Sequence, residues 1–473
     1  MIPQVSALGS PRLLNLPPWA LPVLVPLLLG FLWLTVGPAW TLAGVLVGAL
    51  ILASLASHAW TLCLVLVGRT SLDLFYDQTL YVGAVKISAA SVFSIVILAL
   101  LLLVVFASKA PFPSAEGFRG FLLLMAGSAA GTIVAYIRFG ESGNVALREM
   151  ARLTVLFVWY VFLYQRARST GEAAPFLRGV VLASLLPIGV GLWHVYAGIG
   201  VSTEGINRIC STFVDPNAFG FYLVFLIMFC SVRLVRGGGL RIWGLMGFSV
   251  FLLILTYSRG AWITMLISAP IFWFRMVRHR WVLVLGLLVV ILAAYPVLSA
   301  RLATVDYGDI LVESQTGVTS NSYSFRMVIW EDLLRLWMDH PWIGWGLEST
   351  VIINPVRAMS DGAGAAAHND GVRYLVESGL IGFSLYGAFL VMLGRALLRR
   401  SRELHGHALS HYARAALAIY AGFVLQSFTV SEPVHETIFM FHFLGLAAVL
   451  EGCADFAKVR RTLPVAGSGG VVP

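Results

Sequence analysis

A succession of apolar runs constrains this chain more than any other feature. Each run is long enough, or nearly long enough, to cross a bilayer, and they lie at 20–36, 41–67, 88–108, 120–137, 152–165, 178–196, 218–234, 242–257, 261–274, 281–298, 378–397, 414–430 and 438–456. With 59% hydrophobic and 12% charged residues, a soluble fold would expose too much apolar surface to water. The sequence therefore predicts an all-α polytopic membrane protein with about 12–14 transmembrane helices.

The basic residues between these runs predict which loops face the cytoplasm. Short clusters that the positive-inside rule places there lie at 233–241, 275–280, 399–402 and 458–461. Strict alternation agrees with all of them and places outside the segments 195–217, 257–260, 299–377 and 431–436. Arg138, Arg148 and Arg152 lie in a loop that the same count places outside, which is an exception to the rule. Because the net charge of +9 is explained by such clusters, it does not indicate nucleic-acid binding.

The same scheme divides the chain into four predicted segments. They are N-terminal transmembrane helices at 1–190, further transmembrane helices at 191–298, a large periplasmic loop at 299–377, and C-terminal helices with a cytoplasmic tail at 378–473. The loop is the only long polar insertion, and long loops commonly carry function. Within it, residues 322–340 have apolar side chains at helical spacing, which predicts an amphipathic helix along the membrane interface.

Neither a metal site nor a cofactor is predicted. The four cysteines lie far apart and form no C-x-x-C motif; they are Cys63, Cys210, Cys230 and Cys453. Asp306 and Asp309 could bind a divalent ion, but two carboxylates in an acidic loop are more commonly solvated. The segment at His435-Glu436 resembles the start of a zinc-protease motif, but Phe439 replaces the second histidine.

Three basic side chains lie where the alternation converges on the outer face: Arg208, Arg259 and His368. A single arginine there commonly extends toward phospholipid headgroups, and a single loop histidine commonly has no chemical role. Two arginines at the ends of helices instead favour an anionic ligand, because guanidinium binds phosphate oxygens with two parallel hydrogen bonds. An imidazole with its ordinary pKa near 6.5 is a natural general base at neutral pH.

Residues beside His368 extend this candidate site. Asn369 could cap the helix that follows, and Arg373 and Glu377 are spaced as an i, i+4 pair that would order it. Arg326, Arg373 and Asn369 are further candidates for contacts to the sugar or phosphate of the substrate. For both arginines a structural salt bridge, with Glu331 or Glu377, is an equally good interpretation.

The residues around His368 also match a known pattern. His368-Asn369, nine residues, Gly379, two residues and Gly382 fit H-[NSQ]-x9-G-x-x-[GTY] without a gap. On this pattern the chain resembles the superfamily of O-antigen ligases and Wzy-type polysaccharide polymerases. Further blocks similar to those of the family lie at 213–223, at 257–260, and from Arg326 through 340–346. The resemblance covers roughly 205–385, while the first 190 residues match only in hydropathy.

The resemblance implies a type C glycosyltransferase fold in the bacterial inner membrane, with the active site facing the periplasm. It implies a glycan donor linked to undecaprenyl diphosphate, a glycan acceptor, contact with membrane lipids, and a chain-length regulator and a flippase as partners. By motif position, Arg208 and Arg259 would hold the diphosphate and His368 would be the base. We expect an inverting, metal-independent polymerase of O-antigen or exopolysaccharide. An O-antigen ligase that uses the lipid A core as acceptor is the alternative, and a glycolipid transporter or flippase is a third candidate of a different class.

Overall fold

The computed structural model describes residues 37–75, 79–82, 85–108, 112–113, 115–203, 206–274, 322–354, 367–428 and 437–462. These residues are mostly helical. The helices are α1 (Pro38–Ala56), α2 (His58–Leu72), α3 (Ala89–Ala107), α4 (Glu116–Phe139), α5 (Asn144–Thr170), α6 (Ala174–Ala197), α7 (Pro216–Val235), α8 (Leu240–Leu255), α9 (Arg259–Trp273), α10 (Ser322–Asp339), α11 (Ser349–Ile353), α12 (Asp370–Glu403), α13 (Ser410–Ser427) and α14 (Thr437–Thr462). Two short antiparallel hairpins pair β1 (Thr79–Val82) with β2 (Val85–Ser88) and β3 (Val201–Thr203) with β4 (Ile206–Arg208).

The described apolar runs coincide with helices, although α5 and α12 each begin eight residues before theirs, and the run at 41–67 forms two helices. That run is divided at Ser57, which adopts an extended backbone and accepts a hydrogen bond from the Ala59 amide, so a second helix starts there. Six helical stretches in the described part of the chain are long and apolar enough to cross a membrane. The all-α polytopic fold is thereby confirmed. The predicted spans at 20–36 and 281–298 lie outside the described residues, as do Asp306 and Asp309, so the number of spans stays a prediction.

Close contacts fix the relative directions of neighbouring helices. Methyl groups at Gly120 and Gly127 of α4 would lie 3.0 Å from Met392 and 3.2 Å from Leu385, so α4 and α12 are antiparallel. In α5, the Trp159 indole donates to the Phe441 carbonyl at 2.9 Å, and further along Tyr164 donates to Asp455 at 2.7 Å. Helices α5 and α14 therefore run in parallel.

The same reasoning orients α9 and α13. Thr264 donates to the Gln426 side chain at 2.8 Å, and Ser268 donates to the Ala418 carbonyl at 2.9 Å, so these two helices are antiparallel. A methyl at Gly220 of α7 would lie 2.7 Å from Ala261 of α9, so these two helices begin side by side. Methyl groups at Gly371 and Gly394 of α12 would lie 3.3 Å from Phe428 and 2.6 Å from Tyr420, so α12 and α13 are antiparallel. Helix α4 and helix α13 consequently finish at the same end of the bundle at which α7, α9 and α12 begin. We call this the site end.

Candidate functional site

Arg208 closes the β3–β4 hairpin, and its side chain is buried, with 9% of the residue exposed. Its Nε donates to the Thr256 carbonyl at 2.9 Å, and its Nη2 donates to the Asn217 side-chain oxygen at 2.8 Å. Asn217 belongs to the Asp-Pro-Asn segment, in which Asp215 caps α7 by accepting from the Asn217 amide at 2.5 Å. This segment therefore starts the helix and also supplies the amide that orients the Arg208 guanidinium.

Arg259 is the first residue of α9, and it follows a tight turn from α8. Tyr257 in that turn has a left-handed backbone with φ 49, and Ser258 caps α9 by accepting from the Ala261 amide at 3.3 Å. Thr256, whose carbonyl holds Arg208, lies three residues before Arg259. A single turn therefore carries one arginine and anchors the other, which brings Arg208 and Arg259 together at the site end. We call this part the arginine corner.

The end of α13 connects the arginine corner to the start of α12. A methyl at Gly260 would lie 3.3 Å from the Gln426 side chain, and a methyl at Gly371 would lie 3.3 Å from the Phe428 ring. Residues 426–428 thus lie between the first turn of α9 and the first turn of α12. The segment that carries His368 is in this way brought to the same end of the bundle as the two arginines.

His368 immediately precedes α12 and has a left-handed backbone with φ 48. Asn369 caps the helix, as predicted, and its side chain accepts from the Val372 amide at 3.1 Å. On the other side of His368, the Ala367 carbonyl accepts a hydrogen bond of 2.6 Å from the indole of Trp330 in α10. A small core joins α10 to this segment, consisting of Ile329, Leu333, Ala367, Val372 and Val376. We call this unit the histidine corner.

Burial, and to a smaller degree the nearby positive charge of Arg326, lowers the pKa of His368 to about 4. Arg326 lies one turn before Trp330 on α10, so the structure brings Arg326 and His368 close together. The ordinary pKa of 6.5 that the sequence alone suggested is therefore wrong for this buried imidazole. Because its pKa is this low, the imidazole ring carries no charge at any pH near 7.

The two glycines of the histidine pattern lie around a break in α12. Gly379 has φ 64 inside the helix, and a methyl there would lie 2.3 Å from the Trp342 carbonyl. The break leaves the amides of Leu380 and Ile381 to donate to the carbonyls of Pro341 and Trp342, at 2.8 and 3.2 Å. The pattern thus records a close approach of two backbones, at which a side chain on residue 379 has no room.

The same junction is fixed from the opposite direction. The amides of Trp345 and Gly346 donate to the carbonyls of Val376 and Glu377, at 2.8 and 2.7 Å. The turn at 340–346 is therefore hydrogen-bonded into the break of α12 on both sides. The turn and the glycine pattern are therefore the two sides of one junction.

Arg373 is almost fully buried and contacts two carboxylates. Its Nη2 lies 2.7 Å from Glu348 and its Nε lies 3.2 Å from Glu377, which confirms the predicted i, i+4 pair. Thr350 donates to Glu377 at 2.5 Å and completes the cluster. Glu331, the other carboxylate considered in the sequence, pairs with Arg335 on the exposed face of α10. The structural interpretation of Arg373 is the one that its contacts favour, and its contact with substrate stays a prediction.

Sequence reasoning missed three of the residues that build the site: Thr256, Asn217 and Trp330. Thr256 acts through its carbonyl group, for which no side-chain pattern exists. Asn217 had a signal, since it lies in the Asp-Pro-Asn segment, and Trp330 had one in its position on the apolar face of α10. Neither signal identifies the partner, because both partners are distant in sequence.

Comparison with known proteins shows a family to which part of this chain is similar. Residues 244–387 match the O-antigen ligase family. No curated protein matches the chain significantly. The matched segment contains Arg259, Arg326 and His368 with its glycine pattern, and it begins after Arg208. The resemblance inferred from the motifs is therefore confirmed over residues 244–387, where this polytopic chain is similar to the O-antigen ligase family.

Proposed function

We propose that this protein joins glycans at the site end by transferring one from undecaprenyl diphosphate to a hydroxyl of an acceptor sugar. The observation that carries the proposal is that three motif segments, around Arg208, Arg259 and His368, converge on one end of the bundle although 160 residues separate the first from the last. In the reaction the acceptor oxygen bonds to the anomeric carbon. The bond from that carbon to the diphosphate oxygen breaks, and its electron pair leaves with undecaprenyl diphosphate. Attack from the opposite face inverts the anomeric centre.

The arginine corner would bind the diphosphate. Guanidinium groups stay charged at any accessible pH and match phosphate oxygens in pairs, so they stabilise the negative charge that grows on the leaving group. The two hydrogen bonds of Arg208 fix the plane of its guanidinium before any ligand arrives. Such preorganisation favours the transition state over the ground state. Two fixed cations do for a diphosphate what a divalent metal ion would do, so we propose metal-independent transfer.

His368 would accept the proton of the attacking hydroxyl. A base must be unprotonated, and burial together with Arg326 keeps this imidazole neutral at pH 7. A base of such low pKa is weak, but the negative charge of a bound diphosphate would offset part of the positive charge of Arg326. Substrate binding would therefore raise the pKa of His368 and make the imidazole a stronger base.

The distribution of charge supports a periplasmic site in the inner membrane. At the end of the bundle opposite to the site, Arg400 of α12 lies 2.8 Å from Asp455 of α14, so the C-terminal ends of both helices meet there. The basic clusters at 399–402 and 458–461 belong to these ends. Since cytoplasmic ends carry such clusters, the site end is proposed to face the periplasm.

Polymerase and ligase use this same chemistry and differ in the acceptor, which is a second lipid-linked chain for the polymerase and the lipid A core for the ligase. The expectation of a polymerase rests on the length of the chain and its large polar loop. The ligase is a second candidate because the matched family is described as O-antigen ligase and because the histidine pattern is the one written for ligases.

The test uses the purified chain in lipid nanodiscs with an undecaprenyl-diphosphate-linked oligosaccharide. One arm contains this donor alone, and a second arm also contains a lipid A core acceptor. Longer lipid-linked chains in the first arm support the polymerase. Glycan on the core in the second arm, without longer chains in the first, supports the ligase. Donor that is unchanged in both arms, but crosses the bilayer of proteoliposomes faster than in protein-free vesicles, would contradict transfer and support a transporter.

A further inference from the structure

The segment that carries His368 is held from both sides. After it, the side chain of Asn369 accepts from the Val372 amide and starts α12. Before it, the carbonyl of Ala367 accepts a hydrogen bond of 2.6 Å from the indole nitrogen of Trp330. This second bond links residues 37 positions apart and is the only indole bond to this segment that the described part of the chain contains.

The conformation between these two bonds needs such support. His368 has φ 48, in the left-handed region that a residue with a Cβ occupies only when its surroundings determine it. A hydrogen bond to the Ala367 carbonyl fixes the orientation of the peptide plane that joins Ala367 to His368. It therefore bears directly on the direction in which the Cα–Cβ bond of His368 points.

The indole of Trp330 is itself positioned by packing. Trp330 packs against the small core in which Ile329 and Leu333 of α10 contact Ala367, Val372 and Val376. This packing holds the indole rings against the core while the N–H group points to Ala367. The bond to Ala367 is therefore made by a side chain that packing already positions, and it is partly buried.

We propose that Trp330 is a positioning residue for the proposed base: its indole N–H holds the Ala367 carbonyl and thereby aims the imidazole of His368 at the acceptor hydroxyl. The inference rests on the proposed transfer reaction. Proton transfer requires a heavy-atom separation of about 2.6–3.2 Å. A displacement of about 1 Å can reduce a rate about 10²-fold, so a single backbone hydrogen bond beside the base can matter.

The experiment replaces Trp330 by Phe, which keeps an aromatic ring and removes the donor. We expect kcat for glycan transfer to fall about 10- to 100-fold, while KM for the lipid-linked donor stays unchanged, since the arginine corner is intact. Trp337→Phe is the matched control, because Trp337 lies two turns further along α10 and donates to the Pro341 carbonyl at 3.2 Å instead. This control should retain the wild-type kcat.

Two further measurements keep the inference falsifiable. Benzothienylalanine at 330 has the shape of tryptophan with sulfur in place of the N–H group, and it should reproduce the loss in kcat even if the phenylalanine variant folds poorly. On a His368→Ala background, Trp330→Phe should cause no additional loss, because there is no longer a base to aim. Equal losses in the Trp337 control, or a loss that appears in KM, would reduce Trp330 to a packing residue.

A readout without turnover separates this inference from the proposed function. Amide hydrogen exchange of the peptide that contains 367–370 should be faster in Trp330→Phe than in Trp337→Phe. If wild-type protein transfers no glycan but shows this difference in exchange, the proposed function fails and the holding of the segment stands. If wild-type protein is active and neither exchange nor kcat responds to the loss of the N–H group, the inference on Trp330 is wrong.

Discussion

The arginine corner and the histidine corner are built in different ways. The arginine corner is made by the ends of bundle helices, with Arg208 anchored to the turn between α8 and α9 and to the first turn of α7. The histidine corner is made by the polar insertion, which brings its own small core to the start of α12. The arginine corner is part of the helix bundle, whereas the histidine corner is formed largely by the insertion that packs on it. We therefore expect donor binding and chemistry to respond to separate sets of substitutions.

The largest effect should come from the histidine corner. His368→Ala should reduce transfer by about 10²- to 10⁴-fold, the usual contribution of a positioned base, while donor binding is retained because the arginines are unchanged. Binding of a labelled lipid-linked donor and the single-turnover rate of transfer check this separation.

Asn and Gln at position 368 distinguish chemistry from structure. Both side chains retain a hydrogen-bonding group but cannot accept the proton at neutral pH, so they should be as slow as Ala. Recovery of much of the rate in either variant would mean that His368 orders the segment and another group is the base. Loss of donor binding in all three would remove the distinction between the two corners.

The arginine corner should show the next largest effect, and it should include binding. Arg208→Ala should lower kcat/KM by about 10²- to 10³-fold, similar to the loss of one donor to a developing anion. Arg259→Lys should also lose most activity although it keeps the charge, since an ammonium group cannot form the paired bonds of a guanidinium. Donor titrations and initial rates at equal protein levels provide the measurement. Variants that insert poorly in the membrane but have normal turnover per folded molecule would indicate arginines that bind phospholipid headgroups instead.

A third prediction concerns the scaffold of the histidine corner. Arg373→Met leaves Glu348 and Glu377 buried without their cation and should lower the free energy of unfolding by about 3–5 kcal/mol. Arg335→Met removes an exposed pair with Glu331 and should cost at most about 1 kcal/mol. Thermal unfolding in detergent compares the two variants. A stable Arg373→Met protein that has lost only donor affinity would assign Arg373 to substrate binding.

The pH dependence tests the environment of the histidine. The active form of the base is neutral, so kcat/KM, which reports the free enzyme, should fall only as the pH drops through about 4, the lowered pKa of His368. The corresponding limb of kcat should lie at higher pH if, as proposed, a bound diphosphate offsets part of the charge of Arg326. Arg326→Gln should move the limb of kcat/KM upward by removing one of the two causes of the lowered pKa. A limb of kcat/KM near pH 6.5 in the wild-type protein would contradict a buried imidazole.

The smallest expected effect is that of metal removal. Chelation with EDTA should leave the transfer rate unchanged, since we propose that the arginine corner stabilises the charge of the leaving diphosphate. The control adds magnesium or manganese back after chelation. Activity that disappears with EDTA and returns with either ion would move the catalytic charge to carboxylates such as Asp306 and Asp309.

The two corners also differ in how far the sequence predicts them. The helices of the bundle follow from apolar runs, because a bilayer imposes both their length and their composition. Asn369 and the pair of Arg373 with Glu377 were predictable, since their partners lie within four residues. The division at Ser57 was missed because a capping serine leaves the hydropathy of the run almost unchanged.

What the sequence could not predict are contacts between distant backbones and the electrostatics that result from them. The carbonyls of Thr256 and Ala367 hold site residues, and every residue has a carbonyl, so no pattern marks them. The low pKa of His368 arises from burial and from the charge of Arg326 on α10, an element whose packing partner is unknown until the chain is folded. The sequence could therefore predict at which end of the bundle the charged groups lie. It could not predict the carbonyl groups that hold them or the protonation state of the histidine.

The break at Gly379 determines where one part of this protein could be exchanged for another. Helix α12 has 34 residues, which at 1.5 Å per residue exceeds what a bilayer core of about 30 Å requires. Residues 376–381, on both sides of the break, are hydrogen-bonded to the turn at 340–346, whereas those from Leu385 onward pack along α4. A chimera between two such proteins should therefore be joined after Gly382, beyond the break, rather than at the start of the helix. A graft cut at residue 370 would separate the turn from its partner, and the recipient would receive a histidine without the junction that supports it.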